Sequence, residues 1–199
     1  MLFQSTRQDT GPIAGQGATS ATFTQALLKG LAPDGGLYVP QQWPVQQPGE
    51  LCERIGLPPA QYLTAAGLAR IGALLLAPLV QGSELADPLP AITAQAFSFP
   101  APLVSLDARG RLGVLERVHG PTAAFKDFGA RFMARTLSYL RQDASRELTV
   151  LVATSGDTGS AVAYGFHNVP ATRVVVLYPS GQVSHVQEQQ LTTLGGNVA

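Results

Sequence analysis

Hydrophobic and polar positions change their rhythm about halfway along the chain. In the second half, Phe128, Phe132, Met133, Thr136, Leu137 and Leu140 recur at three- and four-residue steps, while Arg131, Arg135, Ser138 and Gln142 take the other side. That spacing predicts an amphipathic helix opening at Lys126. Strands are predicted over residues 112–118, 148–153 and 174–177, the last a continuous apolar run of the kind that parallel sheets bury. Helices are predicted over residues 158–167 and 183–194. Strands alternating with helices in this way argue an α/β unit with a parallel sheet.

The first half reads differently. Thr22 and Gln25 form a capping-box pattern that opens a short helix with Phe23, Ala26 and Leu27, ended by Gly30. Pro33-Asp34-Gly35-Gly36 is a turn signal, and Leu37-Tyr38-Val39 a short strand closed by Pro40. A second helix is predicted from Pro58-Pro59, with Leu63, Ala66, Ile71, Leu74 and Leu75 on one face. Asp87-Pro88-Leu89-Pro90 breaks that pattern, and the Gln/Pro-rich residues 41–48 read as loop. The change of rhythm predicts two domains, residues 1–95 and 96–199. The final Gly195-Gly196-Asn197-Val198-Ala199 reads as the start of a further strand, so the parallel sheet is expected to be truncated there. An unpaired edge at that point would favour pairing with a second copy or aggregation.

Composition narrows the class. Apolar residues make up 45% of the 199, enough for a real core, and the 13 basic residues balance the 13 acidic ones. With no basic run, nucleic acid and anionic membrane surfaces are not expected as partners. The longest apolar run, residues 71–80, is too short for a membrane helix and contains Pro78. The single cysteine, Cys52, rules out an internal disulfide and fits a reducing, cytoplasmic setting. His167 and His185 lack a Cys or carboxylate at ligand spacing, and no metal site is expected.

Candidate chemistry centres on Lys126. The chain has two lysines, Lys29 and Lys126, against eleven arginines. Lysine forms a Schiff base with a carbonyl and arginine does not. At the positive end of its helix, between Phe125 and Phe128, the Lys126 ammonium is expected to be destabilised by the dipole and by desolvation. A surface lysine at a loop–helix junction is the alternative. Thr154-Ser155-Gly156-Asp157-Thr158-Gly159 follows one strand and opens a helix, so it reads either as a simple cap or as an anion-binding loop. His119 reads as a structural residue before a turn or as a group orienting a ligand. Arg131 reads as part of a solvated face or as a partner for phosphate or an acid.

The motif His119-Gly120-Pro121-Thr122-Ala123-Ala124-Phe125-Lys126-Asp127-Phe128-Gly129 resembles the cofactor-lysine motif of threonine synthases of the enteric-bacterial and fungal branch. Three further blocks resemble the same family in the same order. They are Ser5-Thr6-Arg7 with residues 30–40, the loop at residues 154–159, and Leu177-Tyr178-Pro179 through Gln187-Glu188-Gln189. The resemblance implies the tryptophan-synthase β-like fold (fold type II) and pyridoxal 5′-phosphate carried on Lys126. It implies that Thr154, Ser155 and Thr158 hold the substrate carboxylate, with Asp157 near the cofactor ring, where related enzymes carry Asn. The implied reaction converts O-phospho-L-homoserine and water to L-threonine and phosphate. The family's cofactor-phosphate loop has no counterpart in these residues, so a fragment inactive on its own is expected. Alternatives are a threonine-synthase-like phospholyase and a non-catalytic remnant. Oligomeric state is left open.

Overall fold

The computed structural model describes residues 1–7, 20–143, 145–154 and 156–199. They group into two compact units, Met1–Gly56 with Ala73–Leu89, and Leu57–Gly72 with Pro90–Ala199.

In the first unit, β1 (Phe3–Ser5) pairs antiparallel with β2 (Tyr38–Pro40). Helix α1 (Phe23–Lys29) begins as its sequence predicts. The Thr22 hydroxyl accepts the Gln25 N–H at 3.2 Å, the Gln25 side chain accepts the Thr22 N–H at 2.9 Å, and Gly30 (φ 72°) closes the helix. Pro48 opens α2 (Pro48–Ile55) at the end of the patch expected to be loop. The proline's missing N–H is no loss at the first turn of a helix. Phe3 and Phe23 meet edge to face at 5.8 Å, and Phe3, Ile55, Val80 and Leu85 are buried.

The two sequence blocks of this unit converge on one turn. The Ser5 hydroxyl donates to Asp34 Oδ1 at 2.7 Å, the Gly36 N–H donates to the same oxygen at 2.9 Å, and Arg7 Nη1 donates to the Asp34 carbonyl at 3.2 Å. Gly35 has φ 76°, and a Cβ on Gly36 would meet Ser5 Oγ. The Asp-Gly-Gly spacing is therefore set by sterics on both sides of the turn.

The helix predicted from Pro58-Pro59 is instead a 3-10 turn (Pro59–Gln61) followed by α3 (Ala65–Val80). Thr64 provides the start, its hydroxyl accepting the Gly67 N–H at 3.2 Å. The first half of α3 belongs to the second unit. Residues 87–90, expected only to break the pattern, lead straight into α4 (Leu89–Ala96), with Pro90 in its first turn, where it is tolerated.

In the second unit, β3 (Leu103–Ser105) and β4 (Gly113–Leu115) form an antiparallel pair. The strand predicted at residues 112–118 is thus shorter and pairs with a neighbour in sequence, not with the parallel strands. Helix α5 (Lys126–Leu140) follows, then β5 (Leu148–Ala153), α6 (Asp157–Phe166), β6 (Thr172–Leu177) and α7 (His185–Thr192). Strands β5 and β6 are parallel over six residue pairs, and Val198 bridges Val174 in the same sense. Asn197 ties this end in place, its amide donating to the Phe166 and Thr172 carbonyls at 2.9 Å each.

The core lies between one sheet face and helices α5 and α6. Val150, Val152, Val174 and Val176 meet Ala130, Ala134, Ala161, Val162 and Phe166. Small residues set this distance, because a Cβ on Gly165 would stand 3.2 Å from the Ala130 backbone. A second cluster stacks Phe97, Phe99, Phe128 and Phe132, with ring centroids 4.7 to 6.1 Å apart.

Candidate functional site

Lys126 is the first residue of α5, as its sequence predicts, and is half-buried. The turn before it is tight. The Ala123 N–H donates to the Gly120 carbonyl at 3.0 Å, and Ala123 has φ 56°, a backbone conformation that costs an L-residue about 1–2 kcal/mol. Asp127 is fully buried; its Oδ2 accepts the Thr122 N–H at 3.0 Å and its Oδ1 the Thr122 hydroxyl at 2.9 Å.

Beside this turn lies a cavity of about 530 Å³ with apolar walls from Leu63, Leu68, Phe128 and Met133. Among the described residues, Arg117, Lys126 and Thr158 are its polar side chains, and no acid lines it. Lys126 Nζ stands 4.6 Å from the centre of the Phe125 ring, and Arg117 stands 4.9 Å from the same ring. A cation is attracted to an aromatic face. The phenylalanine expected to destabilise the ammonium by desolvation therefore also offers it a favourable contact, and Phe125 is itself half exposed. The cavity fits a ligand with an apolar body and anionic groups, close to a primary amine.

The loop after β5 is organised around Thr154. Its hydroxyl accepts the N–H groups of Gly156 (3.1 Å) and Gly159 (3.0 Å) and donates to the Gly156 carbonyl at 3.1 Å. A Cβ on Gly159 would meet the Thr154 side chain. Ser155 lies outside the described residues. Thr158 faces the cavity with Lys126. Asp157 is exposed and does not line it; its Oδ1 accepts from Gln187 Nε2 at 2.9 Å. Gln187 is the third residue of α7, and its Oε1 accepts the Ser184 N–H in a capping box. The cap was readable from Ser184-x-x-Gln187. The reach of the same side chain to Asp157, thirty residues earlier, carries no local sequence signal.

Arg131 does neither of the things its sequence allows. It donates to the Gln95 carbonyl (2.7 Å), the Ala96 carbonyl (2.8 Å) and Ser98 Oγ (2.8 Å), closing the C-terminal end of α4. Burial holds its guanidinium below the ordinary arginine value, and the Arg135 charge acts in the same direction. The group stays protonated at any ordinary pH. His119 is exposed and pairs with Glu116 at 2.7 Å. Among the described residues, no three His, Cys, Asp or Glu side chains cluster as metal ligands, and no helix is long and apolar enough to cross a membrane.

Fold and site together define a mixed α/β protein whose helix-opening lysine stands at a largely apolar cavity. The sequence model for the N terminus of threonine synthase matches residues 3–58. The threonine synthase of Haemophilus influenzae is 43% identical over 177 residues, which are 89% of this chain and 38% of that protein. The Schizosaccharomyces pombe threonine synthase is 34% identical over 89% of this chain. The crystal structure of the Escherichia coli threonine synthase superposes with a TM-score of 0.79 at 35% identity, covering 99% of this chain and 41% of that one. A pyridoxal-phosphate-bound threonine synthase from Brucella melitensis superposes with a TM-score of 0.78 at 33% identity, covering 96% and 38%. The chain resembles the N-terminal portion of threonine synthases and spans about two fifths of the length of those relatives.

Proposed function

We propose that this chain is the lysine-bearing portion of a cytosolic, pyridoxal-phosphate-dependent threonine synthase of fold type II. Residues 1–95 would be its N-terminal domain and residues 96–199 the beginning of its catalytic domain. The observation that carries the reading is Lys126. It opens α5 with an amine that makes no hydrogen bond or ion pair to any described residue, at a cavity whose charged lining among the described residues is cationic. The substrate would be O-phospho-L-homoserine, converted with water to L-threonine and phosphate.

Pyridoxal phosphate, when bound, supplies an electron sink for charge developing next to the substrate's α-carbon. Lys126 would hold it and, once released by the substrate, move protons at the α- and β-carbons as a general acid and base. Thr158, with Ser155, Thr154 and the first N–H groups of α6, would bind the substrate carboxylate, which the positive end of the helix favours. Because the Thr154 hydroxyl is already bonded within its loop, its part would be to shape that loop. Asp157, held by Gln187, would stand at the rim beside the cofactor ring. Phosphate would leave the γ-carbon and water would add at the β-carbon.

Because the chain spans only 38% of its relatives' length, we propose that these 199 residues alone do not turn over. The reaction is tested by supplying O-phospho-L-homoserine and pyridoxal phosphate to a full-length polypeptide carrying these residues. Threonine supports the proposal. A keto acid with ammonia would mean a phospholyase, and no phosphate release would contradict both. Phosphate release by the 199-residue chain would overturn the inactivity of the isolated portion.

A further inference from the structure

We infer that Asp127 is a positioning residue for Lys126: its buried carboxylate clamps the turn at residues 120–125 and thereby fixes where the lysine-bearing helix begins. The inference rests on the reading of Lys126 as the reactive amine.

An acid in the first turn of a helix is ordinarily solvated and contributes through the dipole. Asp127 is instead fully buried, and both its oxygens accept bonds from a single residue five positions earlier. No cation of the described residues forms an ion pair with it: the guanidinium of Arg131, one turn on, feels the Asp127 charge but is bonded to the end of α4. Burying a carboxylate without an ion pair opposes folding unless its bonds return the loss. Those bonds do not cap α5, because they leave its own first amides alone. What they hold is the segment before it, including the left-handed Ala123. Gly120 completes the device: a Cβ there would run into the Asp127 carboxylate and stand 2.7 Å from its Cβ. Gly120, Thr122 and Asp127 therefore form one lock on the segment that delivers Lys126.

The test compares the 199-residue chain with Asp127→Ala, Gly120→Ala, Thr122→Val and Asp127→Asn. Two readouts are taken by peptide mass spectrometry. One is backbone hydrogen exchange. The other is the rate of modification by pyridoxal phosphate with cyanoborohydride at Lys126, relative to Lys29. Loss of a buried hydrogen bond predicts that Asp127→Ala and Gly120→Ala speed exchange across residues 120–126 by about tenfold or more, with β5 and β6 still protected. The Lys126:Lys29 ratio falls in the same two variants. Thr122→Val, which keeps the backbone bond, falls between. Asp127→Asn stays within about twofold of the parent, because an amide accepts the Thr122 N–H and donates to its hydroxyl. The clamp is overturned if Asp127→Ala leaves exchange at residues 120–126 unchanged. It is equally overturned if the ratio falls only where protection is lost throughout the unit, which is a role in stability alone. Should Asp127→Ala not fold, Thr122→Val and Asp127→Asn decide by the same criteria. A parent chain whose lysines react alike contradicts the reactive-amine reading instead, and exchange still judges the clamp.

Discussion

Two side chains show how single residues here are fixed by partners distant in sequence. Asp34 holds its carboxyl below its ordinary value, first through the hydrogen bond from Ser5, then through the Gly36 N–H. A folded value below the unfolded one means the stabilisation is present above the unfolded value and is lost as pH falls through the folded one. Acid is therefore expected to loosen the turn at residues 33–36 below about pH 3.8, and Asp34→Asn to remove that dependence. Amide exchange at Gly36 measured against pH checks both. Arg131 is the second case. Arg131→Ala removes three bonds at the end of α4, and about 1–3 kcal/mol of stability is expected to go with them. Urea unfolding followed by the fluorescence of residues in the second unit would measure it, and an unchanged midpoint would mean the bonds contribute nothing net.

At the scale of elements, the part of the fold legible in the sequence is the part with strong local signals. Strand β5 runs as its apolar pattern predicts, and α6 and α7 begin within two residues of expectation. Helices α1 and α7 carry complete capping boxes. Ser184→Ala is expected to cost about 1 kcal/mol, as caps do, and to leave Gln187 bonded to Asp157, because the backbone N–H at position 184 still donates to Gln187 Oε1. Thermal unfolding gives the first effect, and the side-chain amide resonances of Gln187 the second. What was not legible is short or set from afar. Strands β1 and β3 have three residues each, too few for a periodicity to emerge. Helix α4 opens beside prolines that read as a break, because proline forbids a helix interior but not its first turn. The candidate site divides in the same way. Lys126 at a helix start, and a loop opening α6, are local facts. The bond from Gln187 to Asp157 and the commitment of Arg131 to α4 depend on which elements meet, and residue spacing says nothing of that.

For the molecule as a whole, the second unit packs one face of its sheet and leaves much of the other bare. Phe166 is fully buried at the centre of the packed face, so Phe166→Ala is expected to cost about 3–5 kcal/mol, approaching the whole stability of a domain this size. On the other face, Leu151 is 65% and Leu177 52% exposed. Exposed apolar surface beside a strand edge without a described partner, as on the outer side of β5, favours self-association. Size-exclusion chromatography with light scattering is expected to show a mass that rises with concentration, which Leu151→Lys reduces; a constant monomer mass would contradict this.

Lys126 is the amine proposed to take the cofactor. The direct test is to mix the chain with pyridoxal phosphate, reduce with borohydride and map the modified lysine by mass spectrometry, with Lys126→Ala as control. Only two lysines compete. The account predicts modification of Lys126 in preference to Lys29, abolished in the control. Equal modification of both, or none at Lys126, would contradict it.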